Sequence, residues 1–157
     1  MSKDSLLGIV GLLVFQINGK EYCADINHVS VVLNLNKQNM RGFQQEKGSL
    51  VFQDQMYKII DIHEVLKDDN SQFTFRSKLI LFKAFGIHFG FIADRIVEII
   101  TIDSSFVENS LDFIPYDNGV FICGELVIRD RRILFLDFKK LSRNLSSLNM
   151  LKVPAFG

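Results

Sequence analysis

Residues 79–102 read Leu-Ile-Leu-Phe-Lys-Ala-Phe-Gly-Ile-His-Phe-Gly-Phe-Ile-Ala-Asp-Arg-Ile-Val-Glu-Ile-Ile-Thr-Ile, and this run limits the folds open to the chain more than any other. It is dense in β-branched and aromatic residues, contains Gly86 and Gly90, and has no proline. Such a composition favours strands separated by tight turns. A membrane helix of the same length would bury Lys83, Asp94, Arg95 and Glu98 in hydrocarbon at about 3 kcal/mol each, so that reading is set aside.

The run has an echo. Displaced by 67 residues, Leu12 falls on Leu79, Phe15 on Phe82, Gly19 on Gly86, Tyr22 on Phe89, Val29 on Ile96 and Val32 on Ile99. A looser echo at another offset relates Lys58-Ile-Ile-Asp61 to Leu134-Phe-Leu-Asp137. Each half therefore reads as about five strands, with a turn glycine after the first and a helical turn after the last. Five short strands in so few residues cannot build a two-layer sandwich. Each half is expected to curl into a small barrel that hides its strand edges, and the two to bury apolar residues against one another.

The rest of the chain fits this scheme. Leu12–Ile17 ends at Asn18-Gly19, a dipeptide suited to a two-residue hairpin, and Lys20–Ile26 returns. A strand over Val29–Leu35 precedes a polar segment, 36–48, without apolar periodicity. A second hairpin is expected over 49–60 around Asp54-Gln55, followed by a capping box from Asp61 to Glu64. Residues 67–71 are the candidate internal boundary, and 103–118 are a mixed segment broken by Pro115. A last hairpin is expected to turn at Asp130-Arg131, with Arg129, Arg131 and Arg132 as a solvated tip. Leu141, Leu145 and Leu148 then recur at helical spacing.

Eighteen basic residues balance eighteen acidic ones, so no global field recruits nucleic acid, and Trp is absent while Phe fills the aromatic class. Cys23 and Cys123 lie in apolar runs and read as reduced core thiols. His28, His63 and His88 show neither metal-ligand spacing nor a nucleophile–base pattern beyond a formal Cys23 pairing with His28 or His88. No catalytic, metal or cofactor site is expected. The apolar stretch 6–17 lacks a following cleavage site and reads as a strand in a cytoplasmic protein.

Taken in order, Leu13-Val-Phe-Gln-Ile-Asn-Gly-Lys-Glu-Tyr22 with Asp25-Ile26 and Val29, Lys58-Ile-Ile-Asp-Ile62, Gly90-Phe-Ile-Ala-Asp-Arg-Ile-Val-Glu-Ile99, and Ile122-Cys-Gly-Glu-Leu126 before Arg132-Ile-Leu-Phe-Leu-Asp137 resemble the CheW-like coupling domain of bacterial chemotaxis over residues 10–145. The resemblance implies an all-β fold: two five-stranded SH3-like barrels around a shared hydrophobic core in one domain over 1–157. The first barrel would occupy about 20–70, the second about 77–141 plus the N-terminal strand 10–17, with a short C-terminal helix at 139–151. It also implies a non-catalytic adaptor between a chemoreceptor cytoplasmic domain and the regulatory domain of a histidine kinase, without nucleic acid or direct membrane insertion. The receptor groove would lie between the barrels. The positions matching the family's contacts are Val29, Ser30, Val31 and Val32 of the third strand, Gly48, and Gln53. Two depart from the pattern: Val31 stands where an acid is usual, and Gln53 where an arginine is usual. The alternative reading is a divergent scaffold or inhibitor serving another signalling complex.

Overall fold

The structure, a computed structural model, describes residues 8–44, 47–66, 73–103 and 121–151. The boundary expected at 67–71 falls outside these, as does most of the mixed segment 103–118. Eleven strands are arranged as β1 (Ile9–Ile17), β2 (Lys20–Asp25), β3 (Val29–Asn34), β4 (Phe43–Gln44), β5 (Ser49–Phe52), β6 (Gln55–Ile59), β7 (Lys78–Ala84), β8 (Ile87–Ala93), β9 (Arg95–Asp103), β10 (Ile122–Ile128) and β11 (Arg131–Leu136). Two short helices, α1 (Ile62–Val65) and α2 (Phe138–Arg143), follow β6 and β11. Among the described residues, no helix is long and apolar enough to cross a membrane.

The strands form two curled sheets, ordered β10-β11-β2-β1-β9 and β3-β7-β8-β6-β5-β4, and the chain is a pair of SH3-like barrels. The second of these has a sixth, two-residue strand, β4, beyond the five expected. The division of strands between barrels differs from the expected one. β2 leaves the span 20–70 to join β1, β9, β10 and β11, and the β7–β8 hairpin leaves the span 77–141 to join β3–β6. The chain changes sheets twice, through a 3-10 turn at Ile26–His28 and again at Asp94. Each transferred hairpin is closed by a parallel pairing, β2 with β11 and β8 with β6. Apolar patterning reports that a strand is buried on both faces, but not which sheet it joins.

The alternation along the two hairpins explains the packing. Leu13, Phe15 and Ile17 of β1 and Tyr22 and Ala24 of β2 point to one side. So do Ile80, Phe82 and Ala84 of β7 and Phe89, Phe91 and Ala93 of β8, and all eleven side chains belong to one buried cluster between the sheets. The intervening residues face the barrel interiors: Leu12, Val14 and Cys23 in one, Leu79, Leu81 and Ile92 in the other. Phe82 is the centre of the shared core, within 4.7–5.3 Å of the rings of Phe89, Phe91 and Phe138. At Gly90 the strand has no room for a side chain, since a Cβ there would stand 2.7 Å from the Ile80 carbonyl oxygen.

The internal echo is geometric as well as compositional. Asn18-Gly19 and Phe85-Gly86 both turn with positive φ, at 53° and 79° and at 52° and 79°. Asp61 and Asp137 share φ −85° and ψ 88°, and each carboxylate caps its helix by accepting from the N–H three residues on, Glu64 or Lys140. Two hairpin turns sit one residue earlier than expected, at Gln53-Asp54 and Arg129-Asp130. Register is set by placing Leu50 opposite Tyr57, and Leu126 opposite Ile133, on buried faces. The C-terminal helix is shorter than 139–151: after Arg143 the chain tightens into a 3-10 turn at Leu145–Ser147. Residues 149–151 then cross to the other barrel, where the Leu151 N–H donates to the Ile59 carbonyl and Leu151 is buried in that barrel's core.

Asp94 ties the second crossing to both barrels. Its carboxylate accepts from the Asn18 N–H at 2.6 Å and from Nε2 of the buried His63 on α1 at 2.8 Å. Burial pushes its pKa up, but the bonds from His63 and Asn18 outweigh this and leave it below the ordinary carboxylate value. A lowered carboxyl adds stability above its unfolded pKa of about 4, and that stability is lost as pH falls through the folded value. Asp94→Ala is therefore expected to cost about 1–3 kcal/mol near neutrality and to make the acid-unfolding limb shallower, measured by urea titration across pH.

Candidate functional site: the apolar margins of the shared core

β3 and β9 are edge strands, each beside one of the exchanged hairpins. Residues opposite one another in an antiparallel pair share a face. Val32 of β3 lies opposite Ile80, and Ile99 of β9 opposite Leu13. Ile80 and Leu13 are floor residues of the shared core, at most 2% exposed, so Val32 and Ile99 stand on that same face at its two margins. They are 38% and 60% exposed. Val29 and Ile96 pack beside them against the core from β3 and β9. A branched apolar residue left this open over a buried aromatic core is a surface built for apolar contact.

The structure separates the six residues singled out from sequence. Val29 and Val32 belong to this margin. Ser30 is exposed at the register shift between Val29 and Val31. Val31 turns the other way and packs on the core of its own barrel, with Leu33 and Leu35. Gly48 is buried at the start of β5 with φ +60°, and a Cβ there would collide with Met150. Its place is explained by the crossing of the C-terminal segment rather than by an open surface. Gln53 is exposed at the other end of β5, in the β5–β6 turn, with φ +50°. Sequence reasoning on the third strand missed Ile96 and Ile99. The signal was present in the 67-residue echo, which sets Ile96 on Val29 and Ile99 on Val32.

The arginine cluster is not a free tip. Arg131 donates to Glu21 at 2.6 Å and to Glu98 at 2.5 Å, joining β11, β2 and β9, and Arg132 pairs with Glu125. Glu98, the acid that follows Ile96 and Val97, is thus held from the side by Arg131. Neither cysteine is a poised nucleophile. Burial raises Cys23 far above the ordinary thiol range, and burial together with Asp137 raises Cys123 to about 11. Among the described residues no group of His, Cys, Asp and Glu could hold a metal ion.

A double barrel with an apolar margin defines a protein-interaction module. Residues 11–146 match the family model of the CheW-like domain, and the chain belongs to that family. Among solved structures it resembles the scaffolding protein TtCheW of Thermoanaerobacter tengcongensis, with a TM-score of 0.62 and 22% identity over 81% of this chain and 83% of the other. No curated protein matches the sequence. At family level the chain is a chemotaxis coupling adaptor.

The burial of Gly48 and Val31 separates a packing role from a contact role. Gly48→Ala and Val31→Glu are each expected to lower stability by about 1–3 kcal/mol, the first by collision at positive φ and the second by bringing a carboxylate against the barrel core. Chemical denaturation of the isolated protein, with no partner present, measures both effects.

Proposed function

We propose that this chain is a non-catalytic cytoplasmic adaptor that links the cytoplasmic domain of a chemoreceptor to the regulatory domain of a histidine kinase. The observation that carries the reading is the pair of exposed apolar residues, Val32 and Ile99, on the two margins of a single aromatic core. A helix presenting an apolar stripe gains burial on such margins without displacing water from charged groups, and needs no reacting residue. Val29 and Ile96 extend the surface, Ser30 lies at its edge, and Gln53 offers a separate exposed contact at the β5–β6 turn.

A second reading has its own support. Gln53 stands exposed where the family pattern has an arginine, and losing one member of a charged pair at an interface is a route to a changed partner. The chain would then be a scaffold or inhibitor for another signalling complex.

Val32→Asp and Ile99→Asp replace exposed residues, so the fold should survive, as read by an unchanged thermal midpoint. In pull-downs with a receptor cytoplasmic fragment and the kinase regulatory domain, each variant is expected to reduce receptor capture roughly tenfold or more, with Val29→Asp at least as severe. Full retention of receptor capture by both exposed variants would refute the receptor assignment of this surface. Gln53→Arg discriminates between the two readings: improved kinase capture supports coupling, whereas no kinase capture by either form supports the second.

A further inference from the structure

A cavity of about 250 Å³ opens at the far end of the β1–β2 hairpin, away from its turn, and neither Val32 nor Ile99 lines it. Its depth is apolar: Leu12, Cys23 and Phe135 come from the interior of one barrel and are buried. Cys123 lines one side. His28 and Phe85 form the mouth, where the Phe85 and His28 rings lie 5.7 Å apart and the next ring, Phe138, is 5.9 Å from His28.

Phe85 holds a backbone conformation unusual for an aromatic residue. It occupies the left-handed region at φ +52°, in the same turn whose counterpart residue is Asn18 at φ 53°. Asparagine tolerates that conformation, whereas a bulky aromatic is strained by it. Burial does not offset the strain, because Phe85 remains 54% exposed. Strain kept at an exposed aromatic beside a cavity points to use.

We propose that this cavity binds a small, neutral, flat aromatic molecule, inserted against Leu12 and Phe135 and covered by the Phe85–His28 rings. An apolar cavity of about 150 Å³ is enough for benzene, so the larger volume here suits a fused two-ring compound. Charge is disfavoured. The charged lining groups Asp25, Asp137 and Lys139 are all at least partly exposed, while the depth holds only Leu12, Phe135 and thiols that burial keeps neutral, so a charge inserted there finds no partner. The tilted rings of Phe85, His28 and Phe138 at the mouth give an aromatic ligand faces and edges to pack against.

The test uses the full chain and indole as the probe, with calorimetry for affinity and the alkylation rate of Cys123 as a local reporter. Saturable one-to-one binding that slows Cys123 alkylation is expected. Phe85→Asn should weaken indole binding roughly tenfold while the thermal midpoint stays level or rises, since the strain is relieved. Phe85→Tyr should keep the affinity. Cys123→Leu, which fills the cavity, should abolish binding in a folded protein. Absence of saturable binding, or equal binding by wild type, Phe85→Asn and Cys123→Leu, would overturn the proposal.

Discussion

Everything in this molecule depends on the face-to-face burial of two hairpins, β1–β2 and β7–β8. Each is apolar on both sides, one side filling its own barrel and the other meeting the opposite hairpin around Phe15, Phe82, Phe89 and Phe91. Neither barrel is suited to stand without the other, because removing one would expose the entire shared apolar face of its neighbour to water. The same arrangement generates the candidate site. Where the core reaches edge strands β3 and β9, its apolar face runs out into solvent at Val32 and Ile99. Core and interface are one continuous surface, differing only in what covers them.

Much of this was legible in the chain. The alternation Leu12, Leu13, Val14, Phe15 and its copy at Leu79, Ile80, Leu81, Phe82 named the strands, their two-sided burial and their equivalence. Asp61 and Asp137 marked the helical turns correctly, down to matching backbone angles. The family resemblance also drew attention to Val29 and Val32. What the chain concealed was partnership. The exchange of hairpins rests on parallel pairings of three residues or fewer, too short to leave a pattern. A single register shift after Val29 sent Val31 inward and left Val32 facing out, and strand alternation alone cannot report such a bulge. Gly48 was noticed for its place in a family pattern, but its reason is local: Met150, about a hundred positions away in sequence, crosses directly above it.

The polar interactions divide along similar lines. Arg131 looked like a solvated tip charge because its partners, Glu21 and Glu98, come from strands remote in sequence. Once in place, the guanidinium links three strands of one barrel. The Asp94 carboxylate joins the second crossing to α1 through His63 and to the β1–β2 turn through Asn18. Both are fixed by topology, so they stabilise the exchanged arrangement specifically and offer little to a chain folded half by half.

The exchange also sets an order on the making of the protein. β2 ends at Asp25, yet its parallel partner β11 begins only at Arg131, so the two leave the ribosome far apart in time. Through that interval the β1–β2 hairpin lacks the strand that closes its barrel edge, and until β7 and β8 emerge it also lacks the opposing face that covers Phe15 and Tyr22. A nascent chain of this design carries an aromatic strand pair unprotected until β11 has emerged, which favours late, cooperative folding and makes the chain before that point a natural client for holding chaperones.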